Sequence, residues 1–203
     1  MLKAKIAVLV SGGGTNLQAL LDSQGSVLNA GEIALVISNN ADAYALERAK
    51  NAGVKTAVVS KKSCASQEEF EDKISALLSE NKIDLIVLAG FMCILSERFT
   101  SRYPKRILNV HPSLIPSFCG KGFYGLHVHE AALEYGVKVT GATVHFVNEI
   151  PDGGEIILQR AVDLCPDDTP ESLQKRVMQE AEWKILPAAT ELVSASILLE
   201  GNE

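Results

Sequence analysis

The sequence predicts an α/β fold: a doubly wound, mostly parallel sheet with a C-terminal β-hairpin extension and a long terminal helix. Three observations lead there. Short apolar runs alternate with helical patterns through the first half of the chain, the signature of βαβ units. The first run leads straight into SGGGTN, residues 11–16, a tight turn opening a helix. Beyond residue 125 the alternation stops, and two strand-like runs precede one long helical stretch.

The first strand is set at 4–10 and its helix near 15–22, followed by strand 32–38 and helix 42–52, which Gly53 can stop. Strand 54–59 comes next, then a helix over 66–81 opened by Ser66 with Glu69 three positions on, a capping-box pattern. Strands 83–89 and 106–110 follow; like the earlier ones they are almost unbroken in apolar residues, as strands covered on both faces must be. A helix near 126–135 leads to runs 137–147 and 155–164, separated by EIPDGG and read as a hairpin. Thr169 as N-cap and Pro170 at the first helical position open the last segment, which continues to about residue 199, with Pro187 expected to kink or divide it. There is no internal repeat, low-complexity tract or linker, so residues 1–203 are read as one domain, with a βαβ half over 1–110 and a catalytic-loop, hairpin and helix half over 111–203.

The 203 residues, 47% of them hydrophobic, suffice for a sizeable core. Cys64, Cys93, Cys119 and Cys165 lack both CxxC and disulfide-framework spacing, so reduced thiols and a cytoplasmic location are expected. The basic, apolar N-terminus meets glycines rather than a cleavage site, and the longest apolar stretch, 83–95, carries Asp84 and is shorter than a membrane span needs. Nineteen basic side chains against twenty-five acidic ones give a net charge of -6 with no basic block, which argues against nucleic acid as a partner. A small phosphorylated substrate remains compatible.

Three constellations carry chemistry. The glycine loop with Thr15 and Asn16 offers free N–H groups at a helix start; it lacks the Lys-Ser/Thr of a Walker loop, and Leu17 stands where a dinucleotide fingerprint has its third glycine, so a single phosphate is the better ligand. In NVHP, Asn109 and His111 lie two apart on a strand, share a face, and converge at the sheet edge where such folds place ligands. Alone, that pair reads equally as a capped strand end. Asp152 in DGG is by itself turn chemistry, but a carboxylate brought near His111 would raise its pKa. His127, His129 and Glu130 lack metal-binding spacing, and no metal is expected; His145 reads as a hydrogen-bonded sheet histidine.

Together SGGGTNLQAL, SNNADAYALERAKNAGV, LAGFMCIL, NVHPSLIPSF and TVHFVNEIPDGGEIILQ resemble the glycinamide ribonucleotide formyltransferase family over nearly the whole chain. The resemblance implies a formyltransferase-like, Rossmann-type sheet. It also implies transfer of a formyl group from the cosubstrate 10-formyltetrahydrofolate to 5'-phosphoribosylglycinamide in purine synthesis. Under it Asn109 is the oxyanion donor, His111 the proton-transfer residue and Asp152 its orienting acid. Gly14, Thr15 and Asn16 match the substrate-phosphate site, Glu182 a ribose contact, and Gly90 and Met92 the substrate border. Met92, Cys93, Ile94 and Leu95 match the segment that receives the pterin, Asn109 also borders the cofactor, and Gln67 falls near the folate tail. Cys93 stands where many members of the family have arginine, and Gln67 falls near a position where some do. The related tRNA formyltransferases and formyltetrahydrofolate deformylases normally carry additional domains, so the length favours the first reading; a homodimer is left open.

Overall fold

Seven of the apolar runs become strands: β1 (Ala4–Val10), β2 (Gly31–Ser38), β3 (Lys55–Val58), β4 (Leu85–Leu88), β5 (Ile107–His111), β6 (Val139–Phe146) and β7 (Ile156–Asp163). The structure, a computed structural model, describes residues 2–201. The strands form one sheet in the order β3-β2-β1-β4-β5-β6-β7. Pairs from β3 to β5 are parallel, while β6 pairs antiparallel with both β5 and β7. The expected hairpin is therefore the sheet's extension.

Seven α-helices cover it: α1 (Thr15–Ser23), α2 (Tyr44–Asn51), α3 (Gln67–Glu80), α4 (Glu97–Thr100), α5 (Leu126–Tyr135), α6 (Pro170–Val177) and α7 (Trp183–Glu200). Strand periodicity decides which face each meets. Ile6, Val8 and Val10 pack in one layer with Leu17, Leu20, Ile185 and Leu186, while Ala7 and Leu9 pack in the other with Phe70, Ile74, Leu78 and Phe99. The strand order runs outward from β1 to β3 on one side and from β4 onward on the other. The crevice beyond the C-terminal ends of β1 and β4 is thus the point where such sheets hold ligands.

Gly53 stops α2 as read: it follows Ala52 at φ 71°, its N–H closing on the Lys50 carbonyl and that of Val54 on the Ala49 carbonyl. Two local differences from the sequence reading have physical reasons. The Ser66 hydroxyl caps Glu69 N–H as expected, but the Glu69 carboxylate reaches the N–H of Ala65, one residue earlier than a capping box requires, at 2.6 Å. Pro187 does not divide the last helix. It lies inside α7, and the interruption falls at Met178–Glu182, a π-turn of 5 residues that joins α6 to α7. Proline keeps helical φ, and although it removes one donor and crowds the carbonyl four residues back, α7 continues through it, whereas the π-turn resets the helix face over the stretch that ends at Glu182.

No helix among the described residues is long and apolar enough to cross a membrane.

Candidate active site

The antiparallel register of β5 and β6 sets Asn109 opposite His145 and His111 opposite Thr143. Asn109 Nδ2 lies 3.2 Å from His145 Nε2, and His145 Nδ1 donates to the Phe146 carbonyl at 2.8 Å. With Nδ1 protonated, Nε2 is the acceptor, so one Asn109 amide hydrogen is spent on His145 and the other is left for a ligand. Asp152 arrives from the loop between β6 and β7 at φ 55°, a left-handed conformation that aspartate tolerates better than most side chains. The neighbouring Gly154 is obligatory, since a Cβ there would sit 1.7 Å from the Phe146 carbonyl oxygen. The Asp152 Oδ2 accepts from Gly120 N–H at 2.9 Å and lies 3.5 Å from His111 Nδ1, while Oδ1 lies 3.6 Å from His145 Nε2. Asn109, His111 and Asp152 are thus brought together, and His145 joins them. Its membership was invisible in the sequence, because only the β5–β6 register shows it.

His111 is 4% exposed, and its Nε2–H donates to the Phe118 carbonyl at 2.8 Å. Burial is the largest influence on it and draws its pKa below the ordinary histidine value, against the upward pull of Asp152 and the Phe118 carbonyl. The expected upward push from Asp152 is present, but the net shift is downward. Burial likewise pushes Asp152 up, yet His145, His111 and the Gly120 N–H outweigh it and hold the carboxyl low. His129, on α5, is fully buried with neither ring nitrogen hydrogen-bonded; burial first, and His111 second, take its pKa down to about 4. It cannot pair with Glu130, which bonds His127 Nδ1 at 2.8 Å instead. Among the described residues no group of three or more His, Cys, Asp or Glu is arranged to hold a metal.

The glycine loop lies at the C-terminal end of β1. Gly14 caps α1 at φ 72°, and a Cβ on it would fall 2.6 Å from that of Ala45, so glycine is required there. Gly12 and Gly13 face open space, and the N–H groups of residues 13–17 are unpaired among the described residues, as an anion site needs. Arg48 braces the loop by donating to the Gly13 carbonyl at 2.8 Å. Thr15 is exposed beside Met178, but the Asn16 side chain does not point into the loop. Its Nδ2 donates to Glu182 Oε2 at 2.7 Å, and its Oδ1 is buried without a partner. Of Asn16, therefore, only the backbone N–H is left open to an anion. Glu182 is 6% exposed, and burial, only partly opposed by Asn16, pushes its pKa up to about 7.

Beyond β4, Gly90 turns the chain at φ 72° into an irregular segment beside the glycine loop. Met92 N–H donates to Ser11 Oγ at 2.8 Å, joining the two loops. Leu95 is buried, Met92 and Ile94 are exposed, and the N–H groups of Cys93, Ile94 and Leu95 are unpaired among the described residues. Cys93 accepts from Asn39 Nδ2 at 2.9 Å, and Gln67 Nε2 donates to the Ile94 carbonyl at 3.1 Å. Cys93 and Gln67 are thus both engaged in bracing this segment.

The formyl transferase family matches residues 4–190. The chain is 47% identical over 200 residues to the trifunctional purine biosynthetic protein adenosine-3 of Homo sapiens, covering 98% of this chain but 19% of that protein. It thus spans about a fifth of such multifunctional relatives. It is 46% identical over 183 residues to a phosphoribosylglycinamide formyltransferase of Haemophilus influenzae, covering 90% of this chain and 84% of that one. The crystal structure of glycinamide ribonucleotide transformylase 1 from Symbiobacterium toebii superposes with a TM-score of 0.89 at 42% identity, covering 96% of this chain and 89% of that one.

Proposed function

Because the chain belongs to the formyl transferase family, we propose that it moves the formyl group of 10-formyltetrahydrofolate to the glycinamide amine of 5'-phosphoribosylglycinamide, a step in purine synthesis. In this reading residues 1–203 act as a single formyltransferase domain. The observation that carries it is the convergence of Asn109, His111 and Asp152 at the end of β5, on the same sheet edge as the anion-ready glycine loop after β1 and the open backbone segment after β4. A phosphate at one end and a hydrogen-bonding ring at the other would meet over the β5 edge.

The residues fit such a donor. The unpaired N–H groups of Cys93, Ile94 and Leu95 suit the polar edge of a pterin, and the buried Leu95 fixes their height. When bound, the folate supplies an electrophilic formyl carbon; the protein supplies position and electrostatics. The free hydrogen of Asn109 Nδ2 is aimed at the formyl oxygen, where negative charge grows as the amine attacks. Such a donor is worth on the order of 10²- to 10³-fold in rate.

His111 holds a proton on Nε2 for the Phe118 carbonyl, which leaves Nδ1 as the basic nitrogen. A proton received there from the ammonium faces Asp152, so the imidazolium would have an acceptor on each side; passed on to N10 of the folate as the bond between N10 and the formyl carbon breaks, that proton would leave tetrahydrofolate and the formylated amine and return His111 to its neutral form. Glu182, with Asn16 beside it, is placed for a ribose hydroxyl, and the phosphate falls on the N–H groups from Gly14 to Asn16. Gly90 and Met92 line the passage between substrates, and Gln67 and Cys93 brace the folate side instead of offering it charge.

Tetrahydrofolate formation from 10-formyltetrahydrofolate, measured with and without 5'-phosphoribosylglycinamide, tests the reading. Turnover that depends on the acceptor is expected. Equal formate release without acceptor would replace transfer by deformylation, and no turnover in either case would overturn the proposal.

A further inference from the structure

Beneath the donor segment lies a carboxylate to which the transfer chemistry gives no role. Glu71, on α3, is fully buried in a layer with Phe70 and Ile74. A buried carboxylate is costly unless it is paired or fully hydrogen-bonded. No cation among the described residues meets it: Arg98, the nearby guanidinium that senses its charge, is hydrogen-bonded to Asp72 at 2.9 and 3.0 Å. Three donors satisfy Glu71 instead. Gln67 Nε2 reaches Oε1 at 2.6 Å, Ser96 N–H reaches the same oxygen at 2.7 Å, and Ser96 Oγ–H reaches Oε2 at 2.5 Å.

These donors lie on either side of one short stretch of chain. Gln67 spends its second Nε2 hydrogen on the Ile94 carbonyl, and Ser96 follows Leu95 directly. Glu71 therefore grips the segment at Ile94, through Gln67, and at Ser96, directly. Between them the N–H groups of Ile94 and Leu95 are left without a partner among the described residues. The other attachments, Ser11 to Met92 and Asn39 to Cys93, hold only the opposite end.

We propose that Glu71 is a positioning residue for the formyl donor, fixing the height and direction of the 94–96 backbone that binds it. The inference rests on the formyl-transfer reading and deepens it. Preorganising a binding edge lowers the ordering cost of association, so losing Glu71 weakens donor binding. The acceptor site, built on the glycine loop, Asn16 and Glu182, does not touch Glu71, and neither do Asn109 and His111. The defect is accordingly confined to the donor.

The network depends on hydrogen bonds more than on charge. A carboxamide can keep its oxygen at the Oε1 position for Gln67 and Ser96 N–H, while its amino group donates to a Ser96 hydroxyl that rotates to accept. Glu71→Gln is expected to keep the donor KM within about threefold of wild type. Glu71→Leu, which suits the apolar layer and removes both acceptor oxygens and with them all three hydrogen bonds, is expected to raise the donor KM about tenfold or more. Acceptor KM, and kcat at saturating donor, stay within about threefold in both variants.

Steady-state kinetics of the full chain, with circular dichroism and thermal melting to establish folding, reads the split. A donor KM unchanged in a folded Glu71→Leu protein would overturn the proposal, as would equal changes in both KM values and kcat. Should Glu71→Leu fail to fold, Gln67→Leu, which removes the donor shared by Glu71 Oε1 and the Ile94 carbonyl, is read for the donor KM alone, and an unchanged donor KM there counts against the bracing. Calorimetric binding of 10-formyltetrahydrofolate to the same variants tests the bracing even where the wild-type chain shows no acceptor-dependent turnover. Loss of the transfer reading and loss of the Glu71 role are therefore separable.

Discussion

Burial and the Asp152 carboxylate pull the His111 imidazole in opposite directions, and the balance lies on the side of the neutral ring. A neutral base is what proton acceptance requires, while Asp152, 3.5 Å from Nδ1, favours the ring once it has been charged. Asp152→Asn removes the upward pull and leaves burial unopposed by a charge. The His111 pKa is expected to fall further, moving the acid limb of the kcat profile to lower pH; an imidazole NMR titration that gives the same pKa in both proteins would break the coupling. His111→Ala should cut turnover by about 10²-fold or more while substrate binding stays within a few fold. Comparable turnover in that variant would remove His111 from proton transfer.

The turn between β1 and α1 has a different vulnerability, because its function resides in backbone. Gly14 combines φ 72° with a Cβ position 2.6 Å from the Ala45 Cβ, so a methyl group there meets both strain and a clash with α2. Gly14→Ala is expected to cost about 1–3 kcal/mol of stability and to raise the acceptor KM with little change in the donor KM. Urea unfolding with paired KM measurements checks this, and an unaltered acceptor KM would dissociate the loop from the phosphate. Elements such as this turn were legible in the sequence because their signals are local: a strand running into glycines, Ser66 before α3, Thr169 and Pro170 before α6. The Asn109 and His111 pair was legible for the same reason, lying two residues apart on one strand. His145, Glu71 and the Asn16–Glu182 bond were not, since each depends on partners 25 to 166 residues away and on a register that only the folded sheet defines. The π-turn was hidden too, because nothing in MQEAE distinguishes it from ordinary helix.

Across the whole molecule, two buried groups write opposite pH dependences into stability. Glu182 rises from 4.5 to about 7 on folding, so its ionised form is a burden at high pH, relieved as the pH falls from 7 toward 4.5 and the folded carboxyl takes a proton that the unfolded one does not. His129 drops from 6.5 to about 4, so over the falling window from 6.5 to 4 it is the unfolded chain that gains a proton the folded ring refuses. The first raises stability on acidification and the second lowers it, each by about 2–3 kcal/mol. Where the windows overlap the two nearly cancel, and the wild-type stability curve between pH 6.5 and 4.5 is expected to be shallow. Glu182→Gln keeps an oxygen for Asn16 Nδ2 but cannot ionise. That variant should be the more stable protein at pH 8, and should then lose stability steeply below pH 6.5, as the His129 contribution, reinforced in sign by the depressed His111, stands unopposed. Urea unfolding of both proteins from pH 8 to 4.5 is the measurement. Parallel curves would mean that folding leaves the Glu182 carboxyl unshifted, whereas curves that converge as the pH falls below 7 would mean that the buried carboxyl takes up a proton there and offsets the His129 loss.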